Sequence, residues 1–212
     1  MAVAGASALV GILEEAQRRG LVGPGAIEAQ VSHALAMGEA SGSPALSSGG
    51  LALDLGTGGG LPGLVLAAAW PASRWVLVDS RQRSVTFCRE AVERLALETR
   101  VEVVHGRAEV VGRHPSHRAR YQLVTARGFG PPAVTAECAA PFLRVGGRLT
   151  VSEPPGAAGE RWPREGLARL GLTLARVVAA EGAGFAVLEQ VAPCPPAYPR
   201  REGIPAKRPL FG

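Results

Sequence analysis

The chain has 212 residues, enough for one domain with a small extension, and its 47% hydrophobic and 19% charged residues are ordinary for a globular protein with a sizeable core. A formal charge of +5 is compatible with a polyanionic partner, although an excess of this size selects no function by itself. The sequence predicts a cytoplasmic protein without membrane span, signal peptide, disulfides or metal site, because no apolar run approaches ~20 residues, Met1 to Val10 lacks a basic leader, and Cys88, Cys138 and Cys194 are odd in number and unpatterned.

In chain order, Leu9, Ile12, Leu13 and Ala16 recur at helical spacing, and the glycines from Gly20 to Gly25 end that helix. A second helix is expected from about Ala26 to Ala40, followed by a Ser- and Gly-rich linker from Ser41 to Gly50. Leu51 to Leu55 reads as a first strand that runs directly into a glycine-rich turn, with Pro62 suited to the first turn of the next helix. Arg74 to Val78 is a second strand ending on Asp79. A helix from about Arg81 to Leu97 places Val85, Cys88, Val92 and Leu95 on one face. Val101 to Val104 and Tyr121 to Ala126 read as further strands, separated by a polar loop with His114 and His117. Pro131 to Phe142 reads as a helix, and Gly146-Gly147 as a turn into a fifth strand, Arg148 to Ser152. Residues 172–180 and 184–191 form a hairpin around Glu181-Gly182-Ala183. The alternation of strands and helices implies right-handed βαβ units, hence an α/β fold with a mostly parallel seven-stranded sheet closed by an antiparallel hairpin. The expected domains are a helical extension (1–48), a main domain (49–192) and a basic, Pro-rich, extended tail (193–212), which is either a solvated end or a phosphate-contacting arm.

The loop after the first strand reads Asp54-Leu-Gly56-Thr-Gly58-Gly-Gly60-Leu61-Pro-Gly63. Its glycines permit a tight strand-to-helix turn and close approach of a ligand to the backbone. Counted from Gly58 the spacing is G-x-G-x-x-G with Asp79 about 20 residues on, a dinucleotide pattern. Counted from Asp54 it is D-x-G-x-G-x-G, the pattern of S-adenosylmethionine enzymes. Asp79 would bind ribose hydroxyls in either case. Asp54 favours the second reading, since a carboxylate suits the cationic end of S-adenosylmethionine and would repel a pyrophosphate. Pro62 points the same way, because it removes an N–H that a phosphate would use.

Together with this loop (DLGTGGGLPG, 54–63), the stretches VDSRQRSVTFCREAVERL (78–95), GRAE (106–109), VTARGF (124–129) and YPRREGIPAKRPL (198–210) resemble the glucose-inhibited division protein B family, the bacterial 16S ribosomal RNA guanine-N7 methyltransferases. The segment RRGLVGPG (18–25), followed by His33, is similar to the family's N-terminal region, so the resemblance spans most of the chain. It implies a Rossmann-like class I S-adenosylmethionine-dependent methyltransferase, acting as a monomer on ribosomal RNA or the small ribosomal subunit. Position by position it implies that Gly56 and Leu61 line the cofactor loop, to which the D-x-G-x-G-x-G pattern adds Asp54, Gly58 and Gly60, that Asp79 holds the ribose, and that Ala108 and Glu109 flank the adenine. Arg127 would be the functional arginine where methyl group and target meet. Read as residues alone, Glu109 also suits a helix start and Arg127 a surface ion pair. His33 suits a structural role, and His105, His114 and His117 read as solvent-facing.

Methylation at guanine N7 fits this set of side chains, because N7 carries an in-plane lone pair and requires positioning rather than a general base. Carbon-5 methylation of a pyrimidine would call for a nucleophilic cysteine in a suitable loop, and exocyclic-amine methylation for an N/D-P-P-aromatic loop where this chain has Thr125 to Phe129. Two departures from the family pattern stand out. Ser152-Glu153-Pro154-Pro155 replaces a Lys-Gly, so that Glu153 is expected to repel RNA phosphate, and the N-terminal helical region is short. They leave open a non-catalytic cofactor-binding or ribosome-associated paralogue, and the glycine spacing leaves open a nicotinamide-dependent oxidoreductase.

Overall fold

The computed structural model describes residues 3–42, 49–154, 159–180 and 183–212. Two helices, α1 (Val3–Arg18) and α2 (Ile27–Ser41), precede a core in which strands and helices alternate: β1 (Leu51–Leu55), α3 (Gly63–Ala69), β2 (Arg74–Asp79), α4 (Gln82–Arg94), β3 (Val101–His105), α5 (Ala108–Val111), β4 (Tyr121–Ala126), α6 (Pro132–Ala139) and β5 (Leu143–Glu153). After α7 (Arg164–Ala168) come β6 (Leu172–Ala180), β7 (Ala183–Gln190) and the one-turn α8 (Ile204–Lys207).

The seven strands form one sheet in the order β3-β2-β1-β4-β5-β7-β6, parallel except at β7, which pairs antiparallel with both neighbours. This is the expected fold. β1, β2, β4 and β7 are buried on both faces, which is why their sequences are largely continuous apolar runs rather than alternations. Within β1 and β2, Leu53, Leu55, Val76 and Val78 face α5, α6 and α7, while Ala52, Trp75 and Leu77 face α1, α3 and α4. From β1 the chain builds outward to β3, then returns to lay β4 against the other side of β1. The reversal opens a crevice at the carboxyl ends of β1 and β4, where open α/β sheets bind ligands. Gly56 and Arg127 are the first residues beyond these two ends.

Several expectations need adjustment. Ser41, expected in a linker, ends α2; residues 43–48 of that linker and 181–182 of the hairpin turn lie outside the described residues. Gly146-Gly147 is not a turn before β5 but part of it: the strand already pairs Leu143 with Tyr121, then slips register so that Leu123 faces Arg148. The bulge absorbs the extra residues, and the glycines accommodate it. The four-residue α5 had no periodic signal to reveal it.

The C-terminal segment is not an extended end. Arg118 donates to the carbonyls of Cys194 (2.9 Å), Pro195 (3.0 Å) and Tyr198 (2.9 Å), folding the chain back onto the α5–α6 face. Beyond it Phe211 packs over Gly166 so closely that the ring leaves no room there even for a methyl group.

Candidate functional site

The loop between β1 and α3 is held by its own chain. Gly56 and Thr57 N–H donate to the Val78 carbonyl (2.8 and 3.0 Å), Gly59 N–H to the Leu21 carbonyl (3.1 Å), Gly60 and Leu61 N–H to the Thr57 carbonyl (2.8 and 3.3 Å), and Leu64 N–H to the Gly60 carbonyl (2.8 Å). Gly58 N–H donates to Asp79 Oδ2 (2.9 Å) and Gly63 N–H to Asp54 Oδ2 (3.0 Å), while Pro62 has no N–H. A pyrophosphate at a glycine loop needs several free amides at the helix start. Here each amide from Gly56 to Leu64 already has an acceptor within the protein, so the loop offers a surface of close backbone and no anion cradle.

Two cavities flank the loop. The first, about 350 Å³, lies between the ends of β1, β2 and β3 and is lined by Val78, Asp79, Ala108, Glu109, Phe129 and Val134 among others. The second, about 320 Å³, is lined by Leu21, Gly23, Gln30, Thr57, Gly58, Leu61 and Arg127. Gly56, Arg81 and Gly128 belong to both walls, so the cavities adjoin across the crevice. Each falls in the size range of small-molecule sites. Gly56 permits this junction: a Cβ there would stand 2.7 Å from the Phe129 ring.

The nine residues expected to form the site take different places. Gly56, Asp79, Ala108 and Glu109 line the first cavity, and Gly56, Gly58, Leu61 and Arg127 the second. Asp79 spans the loop and the helix that follows β2, accepting from Gly58 N–H and, at 2.8 Å through Oδ1, from Arg81 N–H. Asp54 and Gly60 stand behind the walls. Asp54 is the one charged residue within the apolar β1, and its position explains it: it accepts from Gly63 N–H and from Thr125 Oγ1 (2.9 Å), tying together β1, β4 and the start of α3.

Burial pushes the Asp54 carboxyl up to about 6 and Asp79's like charge adds to that, against hydrogen bonds from Thr125 and Gly63 that favour the charged form. The native protein therefore binds this proton more tightly than the unfolded chain. The associated stability is fully present below about pH 4 and is lost as the pH rises through 6, roughly 3 kcal/mol over the window. Denaturant midpoints measured from pH 4 to 7 are expected to fall in the wild type relative to Asp54→Asn; parallel profiles would show that Asp54 does not titrate there.

Glu109 lines the first cavity, yet its Oε1 accepts from Arg107 Nη2 (3.2 Å) and from Gly203 N–H (3.0 Å) in the C-terminal segment. Burial raises its pKa, but the Gly203 amide and Arg107 outweigh that and hold it below the ordinary value. Arg127 donates through Nη2 to Gln30 Oε1 (2.9 Å), whose Nε2 in turn donates to the Gly23 carbonyl (2.9 Å). Nη1 of Arg127 is buried without a protein partner, and burial lowers the guanidinium pKa below its ordinary value. Leaving a buried, charged donor unpaired is costly, so Arg127 is held in the second cavity's wall at an energetic cost. His33 packs on Phe185, its Nε2 lies 3.1 Å from Ser152 Oγ, and burial, aided by the Arg127 charge, favours the neutral ring.

Glu153 is buried, not exposed as expected. Its side chain is 3% exposed, it forms an ion pair with Arg161, and it accepts from Trp162 Nε1 at 3.1 Å. The negative charge expected to repel phosphate is neutralised within the fold. Nor is His117 purely solvent-facing, since Nδ1 lies 2.7 Å from the Tyr121 hydroxyl. The residues that sequence reasoning missed are Gln30, the Leu21–Gly23 turn and Ala206 at the rim of the first cavity. Gln30 had a signal: it shares the helical stripe of Ile27, Ala34 and Met37, where a polar residue is out of place unless partnered.

Comparison with known proteins bears on the family and the fold. The GidB family, described as rRNA small subunit methyltransferase G, matches residues 7–153. Proteins called ribosomal RNA small subunit methyltransferase G from Symbiobacterium thermophilum and Roseiflexus castenholzii are 37% and 41% identical, over 86% and 75% of this chain and 79% and 70% of theirs. Among solved structures, the mitomycin 7-O-methyltransferase MmcR (17% identity, TM-score 0.56, 74% of this chain and 54% of that one) and the B. subtilis tRNA methyltransferase TrmK (17%, 0.54, 74% and 64%) share the fold.

Proposed function

The chain belongs to the GidB family of rRNA small subunit methyltransferases G, and on that premise we propose that it transfers the methyl group of S-adenosylmethionine to N7 of a guanine in 16S ribosomal RNA. The observation that supports this reading most is the closed loop: with the amides from Gly56 to Leu64 internally paired, the crevice suits a ligand without phosphates. Asp79 suits ribose hydroxyls, the wall at Ala108 and Val134 a purine, and the Gly56 backbone the close passage between the cavities. When bound, S-adenosylmethionine supplies an electrophilic methyl group on a positively charged sulfur.

The protein's own task is then positional. Guanine N7 has its lone pair free at neutral pH, so no side chain has to remove a proton, and holding the reactants in line can contribute up to ~7–11 kcal/mol. Arg127, fixed through Gln30, suits orientation of the incoming nucleotide at the wall of the second cavity. Asp54 behind the loop contributes negative potential on the side where a cationic sulfur is favoured. With Glu153 sequestered by Arg161, one of the two grounds for a non-catalytic paralogue is gone.

Calorimetric titration with S-adenosylhomocysteine is expected to give micromolar affinity, about −8 kcal/mol. Labelled methyl groups should then enter 16S RNA prepared from cells that lack the cognate modification. Binding without incorporation would leave a cofactor-binding paralogue; micromolar binding of NAD with none of S-adenosylhomocysteine would restore the oxidoreductase.

A further inference from the structure

The cofactor-side cavity has a wall that the nucleotide-binding core does not supply. Ala206 of α8 stands at its rim, more than sixty positions beyond Cys138, the nearest preceding residue of the lining. The segment that carries Ala206 is fastened at two points to the helices that form the rest of that wall. On α6, Glu137 is 0% exposed and accepts three hydrogen bonds from one residue: Oε1 from the backbone N–H and the Nε of Arg200 (both 2.8 Å), and Oε2 from Arg200 Nη2 (2.6 Å). The same Nη2 also donates to the Arg208 carbonyl (2.6 Å), so that Arg200 clasps both ends of the turn containing α8. On α5, Glu109 receives the Gly203 amide, and Arg107 lies 3.7 Å from Glu202. Val134 and Cys138, one turn before and one residue after Glu137 on α6, line the cavity, as does Glu109 itself.

Each fastening joins the C-terminal segment to a carboxylate on a helix that lines the cavity: Glu109 lines it directly, and Glu137 lies behind the lining residues Val134 and Cys138. A carboxylate buried as deeply as Glu137 is strongly disfavoured without its partner, so the segment cannot leave without disturbing α6. On α5, loss of Gly203 would remove one of the two donors that hold Glu109. We propose that residues 200–208 are a structural part of the cofactor site, that Glu137 and Arg200 are positioning residues for it, and that docking of this segment and binding of the adenosine moiety are energetically linked. This rests on the cofactor reading above. The linkage is reciprocal: a ligand that needs the docked wall must also hold it docked. It also removes Arg200 from any phosphate-contacting role and leaves Arg201, Lys207 and Arg208 as the exposed cations of the segment.

Two measurements on the full chain test it. Tryptic cleavage after Arg201 and Lys207 of the wild type is expected to slow at least five-fold in saturating S-adenosylhomocysteine. In parallel, Arg200→Ala is expected to raise the dissociation constant for S-adenosylhomocysteine at least ten-fold, and Arg200→Lys, which keeps the charge but loses the planar fork, to fall between. A segment cut faster in Arg200→Ala while affinity stays at the wild-type value would reduce the ion pair to packing and overturn the proposal. So would a wild-type cleavage rate indifferent to ligand, which decides the matter even if Arg200→Ala fails to fold. A wild type that binds no S-adenosylhomocysteine is recognised before any variant is made, and that result removes the cofactor reading itself.

Discussion

Replacing Arg127 with alanine is expected to slow methyl transfer by about 10²-fold through lost positioning while leaving S-adenosylhomocysteine affinity within about three-fold of wild type. The asymmetry follows from where the side chain sits. Arg127 lines the cavity on the far side of Gly56 from Asp79, Ala108 and Glu109, so the adenosine end of the cofactor does not depend on it. Its Nη2 is committed to Gln30, which fixes the guanidinium at the wall of the cavity that would receive the target. A side chain fixed in advance orients the target without reorganising during the reaction. Lysine retains the charge but cannot satisfy Gln30 and the target with the same geometry, and should recover only part of the rate. Single-turnover labelling of 16S RNA, with calorimetry alongside, separates the two quantities. A variant with an unchanged rate would mean that Arg127 is a structural partner of Gln30 and nothing more.

Gly58→Asp is expected to weaken S-adenosylhomocysteine binding at least 100-fold, about 2.7 kcal/mol. Gly58 has φ +57° and donates its N–H to Asp79, and a Cβ there would lie 3.1 Å from the Leu21 carbonyl. Any side chain is strained in this conformation, and an aspartate also sets a second carboxylate beside the one assigned to the ribose. Loss of stability alone could mimic loss of binding. Gly146→Asp is the control: that glycine has φ +79° on an exposed stretch of β5, and a Cβ there would meet nothing within 4 Å, so the substitution imposes comparable backbone strain far from the cavities. Equal affinity in the Gly58 variant, read from calorimetry and from the ligand-induced rise in melting temperature, would show that the loop is not in the cofactor site.

How far the sequence foretold these features depends on how local their causes are. The strands and α4 declare themselves through apolar runs and helical spacing, because burial on both sheet faces leaves a continuous signature. The Asp54 and Asp79 positions were legible as carboxylates at strand ends, but what they hold was not. Asp54 looked like a partner for a cationic ligand, yet its hydrogen bonds go to Gly63 and Thr125. That distinction depends on the amide directions of a loop folded in space. Glu153 was misjudged for a related reason. Its partner Arg161 is eight residues away, across a segment without periodic pattern, and Trp162 beside it donates to the same carboxylate. The C-terminal segment, rich in proline and arginine, has the composition of a solvated arm, and nothing within it announces that its first arginine is matched by Glu137 more than sixty residues earlier. Long-range ion pairs of this kind leave no spacing rule behind.

The internally bonded glycine loop also bears on kinetics. Thr57 to Gly63 are buried, and their amides are paired without any ligand. Such a loop is already in its binding shape and has little conformational entropy left to lose, so ordering it should not limit the association rate. Its amides should exchange slowly with solvent deuterium in the free protein and change little on saturation, whereas the amides around Gly203 and Ala206 are the ones whose protection should grow.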